Sequence, residues 1–91
     1  MEVIERKYKT STNCDGDHAT WLIKSGLYYF LIDYNSCPFD TGKPETMAFA
    51  ADKNGMVTNW GKELAVSYEK NPTKGIQDCV RQLRVKGLIY D

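Results

Sequence analysis

"ATWLIKSGLYYFLIDYN", residues 19–35, decides the fold class. Two runs of branched and aromatic residues flank Ser25-Gly26. A two-residue turn containing glycine between such runs is a hairpin signature, because glycine reaches the positive φ that tight hairpin turns require. Pairing across this turn sets Ile23 opposite Tyr28, Trp21 opposite Phe30 and Ala19 opposite Ile32. Side chains alternate across a strand. One face therefore carries Trp21, Ile23, Tyr28, Phe30 and Ile32, and is assigned to the core. The other carries Thr20, Leu22, Lys24, Leu27, Tyr29, Leu31 and Asp33. That second face is too apolar to stand in water and needs a cover, from the chain itself or from a partner.

Downstream, "ETMAFAADKNGMVTNW" (45–60) reads as a second hairpin. Met47, Phe49 and Ala51 alternate with Thr46, Ala48 and Ala50, and Asp52-Lys53-Asn54-Gly55 supplies turn residues. A four-residue loop sets Trp60 against Met47 and Thr58 against Phe49. "ELAVSYE" (63–69) alternates again and is a further strand. Residues 36–44, "SCPFDTGKP", form a loop. Asn71-Pro72 opens a helix, with Asn as N-cap and Pro in the first turn. Ile76, Cys79, Val80 and Leu83 recur at helical spacing on one face, and Gly87 ends the helix. Leu88, Ile89 and Tyr90 form an apolar tail expected to dock as an edge strand, and "VIERKYK" (3–9) is a first strand. The fold expected is α+β: an antiparallel sheet of four to six strands with one C-terminal helix against one face.

Ninety-one residues make one domain, 1–91, with one small core. Six Tyr, three Phe and two Trp make the composition globular, not disordered. Twelve basic and twelve acidic residues cancel, so no net field draws the chain to nucleic acid or to an anionic membrane. No apolar run is long enough to span a bilayer, and the N-terminus lacks the apolar core of a signal peptide. Three cysteines, Cys14, Cys37 and Cys79, are odd in number and widely spaced. They read as reduced thiols in a cytoplasm.

The chemically densest stretch is "NCDGDH" (13–18), with the only histidine and one of the cysteines. Zinc sites need four N or S ligands, commonly in close pairs, and Cys14 and His18 have no second pair nearby. A nucleophilic Cys14 with His18 as base would want a third, orienting group. Asp-Gly-Asp is ordinary turn chemistry, so the stretch is read as a loop, with no metal, no cofactor and no catalytic residue assigned. "DTGKPET" (40–46) lacks the upstream glycine and the hydroxyl residue of a phosphate loop.

The segment from Glu45 to Trp60, with the strand and helix after it, resembles a group of small tailed-bacteriophage proteins. The matching residues are Glu45, Thr46, Met47, Phe49, Asn54, Gly55, Val57 and Trp60, and the likeness spans roughly 44–86. The Gly-His pair common in the helix of that group is missing here. The resemblance implies a phage or prophage accessory protein in the host cytoplasm. Such proteins act by binding and blocking or redirecting host proteins, anti-CRISPR and other anti-defence factors among them. The expected function is therefore non-enzymatic, with an unidentified host protein as partner. The contact face is read as Leu22, Lys24, Leu27, Tyr29, Leu31 and Asp33, with Tyr29 as anchor. A homodimer through the same face is the other way to cover it. The alternatives are a small Cys/His-dependent enzyme or metal-binding protein built on Cys14 and His18, and a nucleic-acid-binding accessory protein.

Overall fold

A computed structural model describes residues 1–9, 17–37 and 42–90. Five strands, β1 (Glu2–Lys9), β2 (His18–Ser25), β3 (Tyr28–Asn35), β4 (Glu45–Ala51) and β5 (Ala65–Ser67), precede one helix, α1 (Pro72–Val85). The strands form an antiparallel meander in the order β1-β2-β3-β4-β5. The helix packs on β3, β4 and β5. The α+β architecture expected from the sequence is the one observed.

The central hairpin pairs Ile23 with Phe30, Trp21 with Ile32 and Ala19 with Tyr34, each two residues beyond the expected register. The turn is Gly26-Leu27, closed by Ser25 opposite Tyr28. Gly26 takes φ +62 and Leu27 does not enter the positive region. That is the pattern of a turn with glycine at its first central position. Ser25-Gly26 would have needed positive φ at Ser25, which L side chains resist. A two-residue shift preserves the faces, so Ile23, Phe30 and Ile32 are in the core as expected. Tyr28 is not: at the hairpin tip it is 69% exposed. Trp21 is only partly buried.

The second hairpin also departs from expectation. One bridge joins Ala51 to Val57, and Thr58 N–H reaches Ala50 C=O at 3.2 Å. The chain then turns again at Asn59, whose side-chain oxygen accepts from Gly61 N–H at 2.9 Å. The strand that returns along β4 is β5, with Met47 opposite Val66 and Ala48 opposite Ala65. Trp60, outside the strands, stands edge-on to Phe49, ring centroids 4.9 Å apart.

Helix α1 begins and ends as its sequence dictates. Asn71 accepts from Lys74 N–H at 3.1 Å. At the other end Gly87, with φ +74, lets Leu88 N–H reach Leu83 C=O and Gly87 N–H reach Arg84 C=O, both at 2.9 Å. This six-to-one and five-to-two pair satisfies carbonyls that the helix end would otherwise orphan. Ile76, Cys79, Val80 and Leu83 are buried against Ala48, Ala65, Phe30 and Ile32. Thr46, Ala48 and Ala65 are small, so the helix axis comes close to β4 and β5. Gly75 is the point of closest approach: a Cβ there would lie 2.3 Å from Thr46 Oγ1. Cys79 Sγ lies 3.6 Å from Thr46 C=O, and burial pushes its thiol pKa up to about 12, leaving it an inert core thiol.

The tail after the helix is not a strand. Ile89 is buried, and Ser25 Oγ accepts from Tyr90 N–H at 2.7 Å and donates to Tyr90 C=O at 3.2 Å. The same carbonyl accepts from the Met1 ammonium at 2.7 Å. These bonds close the tail across the ends of β1 and β2 without a ladder.

Candidate functional site

The second sheet face follows from the β2–β3–β4 register. Lys24, Tyr29 and Ala51 form one row, Leu22, Leu31 and Phe49 the next, then Thr20, Asp33 and Met47. Residues between β4 and β5 fold back over the middle row. Asp52 nucleates the turn: its carboxylate accepts from Asn54 N–H at 2.8 Å and Met56 N–H at 3.0 Å. Gly55, at φ +84, lies so close to Leu22 that a Cβ on it would meet Leu22 Cδ2 at 3.5 Å. Leu22 and Phe49 are consequently 5% and 4% exposed. What remains beside them is a cavity of about 70 Å³ lined by Glu5, Lys7, Thr20, Leu31 and Asn54 among others. It has room for a few waters and none for an organic ligand.

The six residues read from the sequence as a contact face are therefore not equivalent. Leu22 is covered by the chain itself. Leu31, Asp33, Tyr29 and Lys24 are half-buried. Lys24 Nζ lies 5.6 Å from the centre of the Tyr29 ring, a cation–π contact that holds both side chains on the same patch. Leu27 does not lie on this face; it is the exposed tip of the β2–β3 turn, at 90% accessibility.

Around Leu27 the structure gathers side chains that the sequence reading missed. Tyr28 is 69% exposed and Tyr90 is 70% exposed. Both belong to the hairpin end, since Ser25 is the register partner of Tyr28 and the hydrogen-bond partner of Tyr90. Glycine at the first turn position signals Tyr28 in the sequence. Nothing local signals Tyr90, which meets Ser25 across 65 residues.

At the opposite end of the second face, His18 Nδ1 lies 3.9 Å from Asp33 Oδ1. Burial pushes the Asp33 carboxyl above its usual range, and Glu45 adds to that, while His18 pulls the other way. At 3.9 Å the His18 contact is at the outer distance limit for such a pair, and the lost hydration outweighs it. Cys14, on which the metal and nucleophile readings depend, lies outside the described residues. Among the described residues, no three His, Cys, Asp or Glu side chains are grouped to share an ion, and no helix is long and apolar enough to cross a membrane.

No protein-family model, no curated protein and no solved structure matches this chain.

Proposed function

We propose that this chain is a non-enzymatic protein-binding module whose contact surface is the hairpin end of the sheet. Leu27 and Tyr28 stand at its centre, Tyr90 beside them, with Tyr29 and Lys24 at the rim. The observation that carries the reading is that three large side chains, each at least 69% exposed, belong to one end of the sheet, where Ser25 partners both Tyr28 and Tyr90. Scattered surface apolar residues are normal, but several large ones at one end of a sheet are where a partner binds. Tyrosine is also an efficient anchor, offering area and a hydroxyl with few rotors to freeze. The end is rigid because the turn is closed by the Ser25–Tyr28 pair and the tail is pinned by Ser25. The resemblance of residues 44–86 to phage accessory proteins points to a host protein as the partner, with a component of a defence system such as CRISPR as the leading class.

Affinity capture with the tagged protein tests this. The wild type should retain a host protein in stoichiometric amount. Leu27→Asp combined with Tyr28→Ala should weaken that binding by about 2–4 kcal/mol, as loss of two anchors does. Val85→Asp, at a residue 78% exposed on the helix, should leave it unchanged. Capture undiminished by the double substitution would overturn the assignment of the surface. Absence of any specific partner would overturn the function.

A further inference from the structure

The two edges of the sheet are finished differently. On β5, the Gln82 side-chain amide donates to Val66 C=O at 2.7 Å and accepts from Val66 N–H at 3.2 Å. Lys86 Nζ donates to Leu64 C=O. That edge is closed by the helix. On β1, the outer edge has no ladder partner among the described residues. The helix sits over β3, β4 and β5 and does not shelter β1. Open edges are where strands recruit further strands.

We propose that β1 pairs antiparallel with β1 of a second copy of this chain, about a twofold axis at Arg6. This surface is separate from the hairpin end, and the inference does not rest on the function proposed above. Charge complementarity sets the register. Glu5 and Lys7 share the face away from the helix, as their partners Leu22 and Thr20 show. They lie 3.4 Å apart within the strand, with side chains 51% and 70% exposed. Antiparallel pairing about a twofold perpendicular to the sheet must keep each residue on its own face, so the pair numbers sum to an even value. Centring on Arg6 sets Glu5 opposite Lys7 of the second copy, and Lys7 opposite its Glu5. Centring on Glu5 would set two carboxylates face to face, and centring on Lys7 two ammonium groups. Arg6 tolerates the axis because its guanidinium is drawn aside over the Trp21 ring, 4.5 Å from the centroid. A β-bulge at Ile4, between Val3 and Glu5, ends the regular register, so the pairing runs from Glu5 through Lys7 of each copy, with Tyr8, 62% exposed, at its margin. Zero net charge offers no long-range repulsion between copies. The product is a continuous ten-stranded sheet, five strands from each copy, with the two helices flanking a trough floored by β1 and β2 of both.

Sedimentation equilibrium on the intact chain should give twice its 10.4 kDa mass at high micromolar concentration. Register is read by disulfide trapping with Cys14 and Cys37 replaced by serine. Directly opposed residues on antiparallel strands bring Cα atoms to roughly 4.5–5.5 Å, within disulfide reach. Arg6→Cys should therefore oxidise to a covalent dimer, and Lys7→Cys, offset from its own copy by two residues, should not. Glu5→Lys and Lys7→Glu should each weaken dimerisation about tenfold, and the two together should restore it. These side chains are exposed, and circular dichroism on each variant confirms the fold. A monomer at all concentrations overturns the proposal. So does a dimer that traps at Lys7→Cys and not at Arg6→Cys, or one indifferent to both charge reversals.

Discussion

Asp33 shows how a single residue can work against the fold that holds it. Its position on β3, between Thr20 and Met47, is fixed by a register that the buried faces enforce. Burial raises its pKa above 3.8, so the folded protein holds the proton more tightly than the unfolded chain. Below the unfolded value both states are protonated and no penalty exists. As pH rises through the raised folded value, the charged carboxylate must be kept out of water and stability falls. Asp33→Asn should thus be more stable than wild type at neutral pH, with the gain vanishing toward pH 3. Urea denaturation at both ends of that range measures it. A variant that is less stable at neutral pH than at acid pH, relative to wild type, would show that the His18 contact dominates.

At the scale of elements, the decisive contact is between α1 and β4. Glycine inside a helix costs about 1 kcal/mol relative to alanine. Gly75 nevertheless occupies a buried helical position, because the space for a Cβ is taken by Thr46 Oγ1. That hydroxyl is itself buried without a hydrogen-bond partner, so the contact is a matter of packing. Gly75→Ala should destabilise by about 1–3 kcal/mol, the usual cost of overpacking, in spite of the better helix propensity. Thr46→Ala removes the obstructing oxygen. The double variant should recover most of the loss, giving a coupling energy of about 1–2 kcal/mol in a thermal or urea cycle. Strict additivity would mean that the helix had moved away from β4 instead.

Across the whole molecule, one strand passes from solvent to core within two residues. Tyr28 and Phe30 point to the same face of β3, yet Phe30 is 5% exposed and Tyr28 is 69% exposed. Alternation alone makes them equal. The difference is where the helix and tail end. Phe30→Ala should cost about 3–5 kcal/mol, a large share of the total stability of a domain this small. Tyr28→Ala should stay within about 0.5 kcal/mol, as surface changes do. Chemical denaturation of both variants decides it, and comparable losses would place the tip of the hairpin inside the core.

What the sequence determines by itself here is local and periodic. Alternation from Ala19 to Asn35, helical spacing from Ile76 to Leu83, Asn71 as N-cap and Gly87 as stop each depend on residues within a few positions of one another. They yielded the strands, the helix and the α+β class. The first hairpin was legible but its tip was not: the turn was set at Ser25-Gly26, one residue early, and residues 56–60 were read as one returning strand where the chain turns again at Asn59–Gly61. Other features join residues far apart in the chain, and only the tertiary structure decided them. Ser25 meets Tyr90 across 65 residues, and Tyr34 O–H donates to Lys70 C=O across 36. Gly55 covers Leu22, and Gly75 touches Thr46. Such contacts depend on how faces stack once each element has formed, and a period of two or of 3.6 residues carries no record of which distant surface will arrive opposite it. The apolar second face was visible from Leu22, Tyr29 and Leu31. Its cover came from a turn that local chemistry announces and whose landing place it does not.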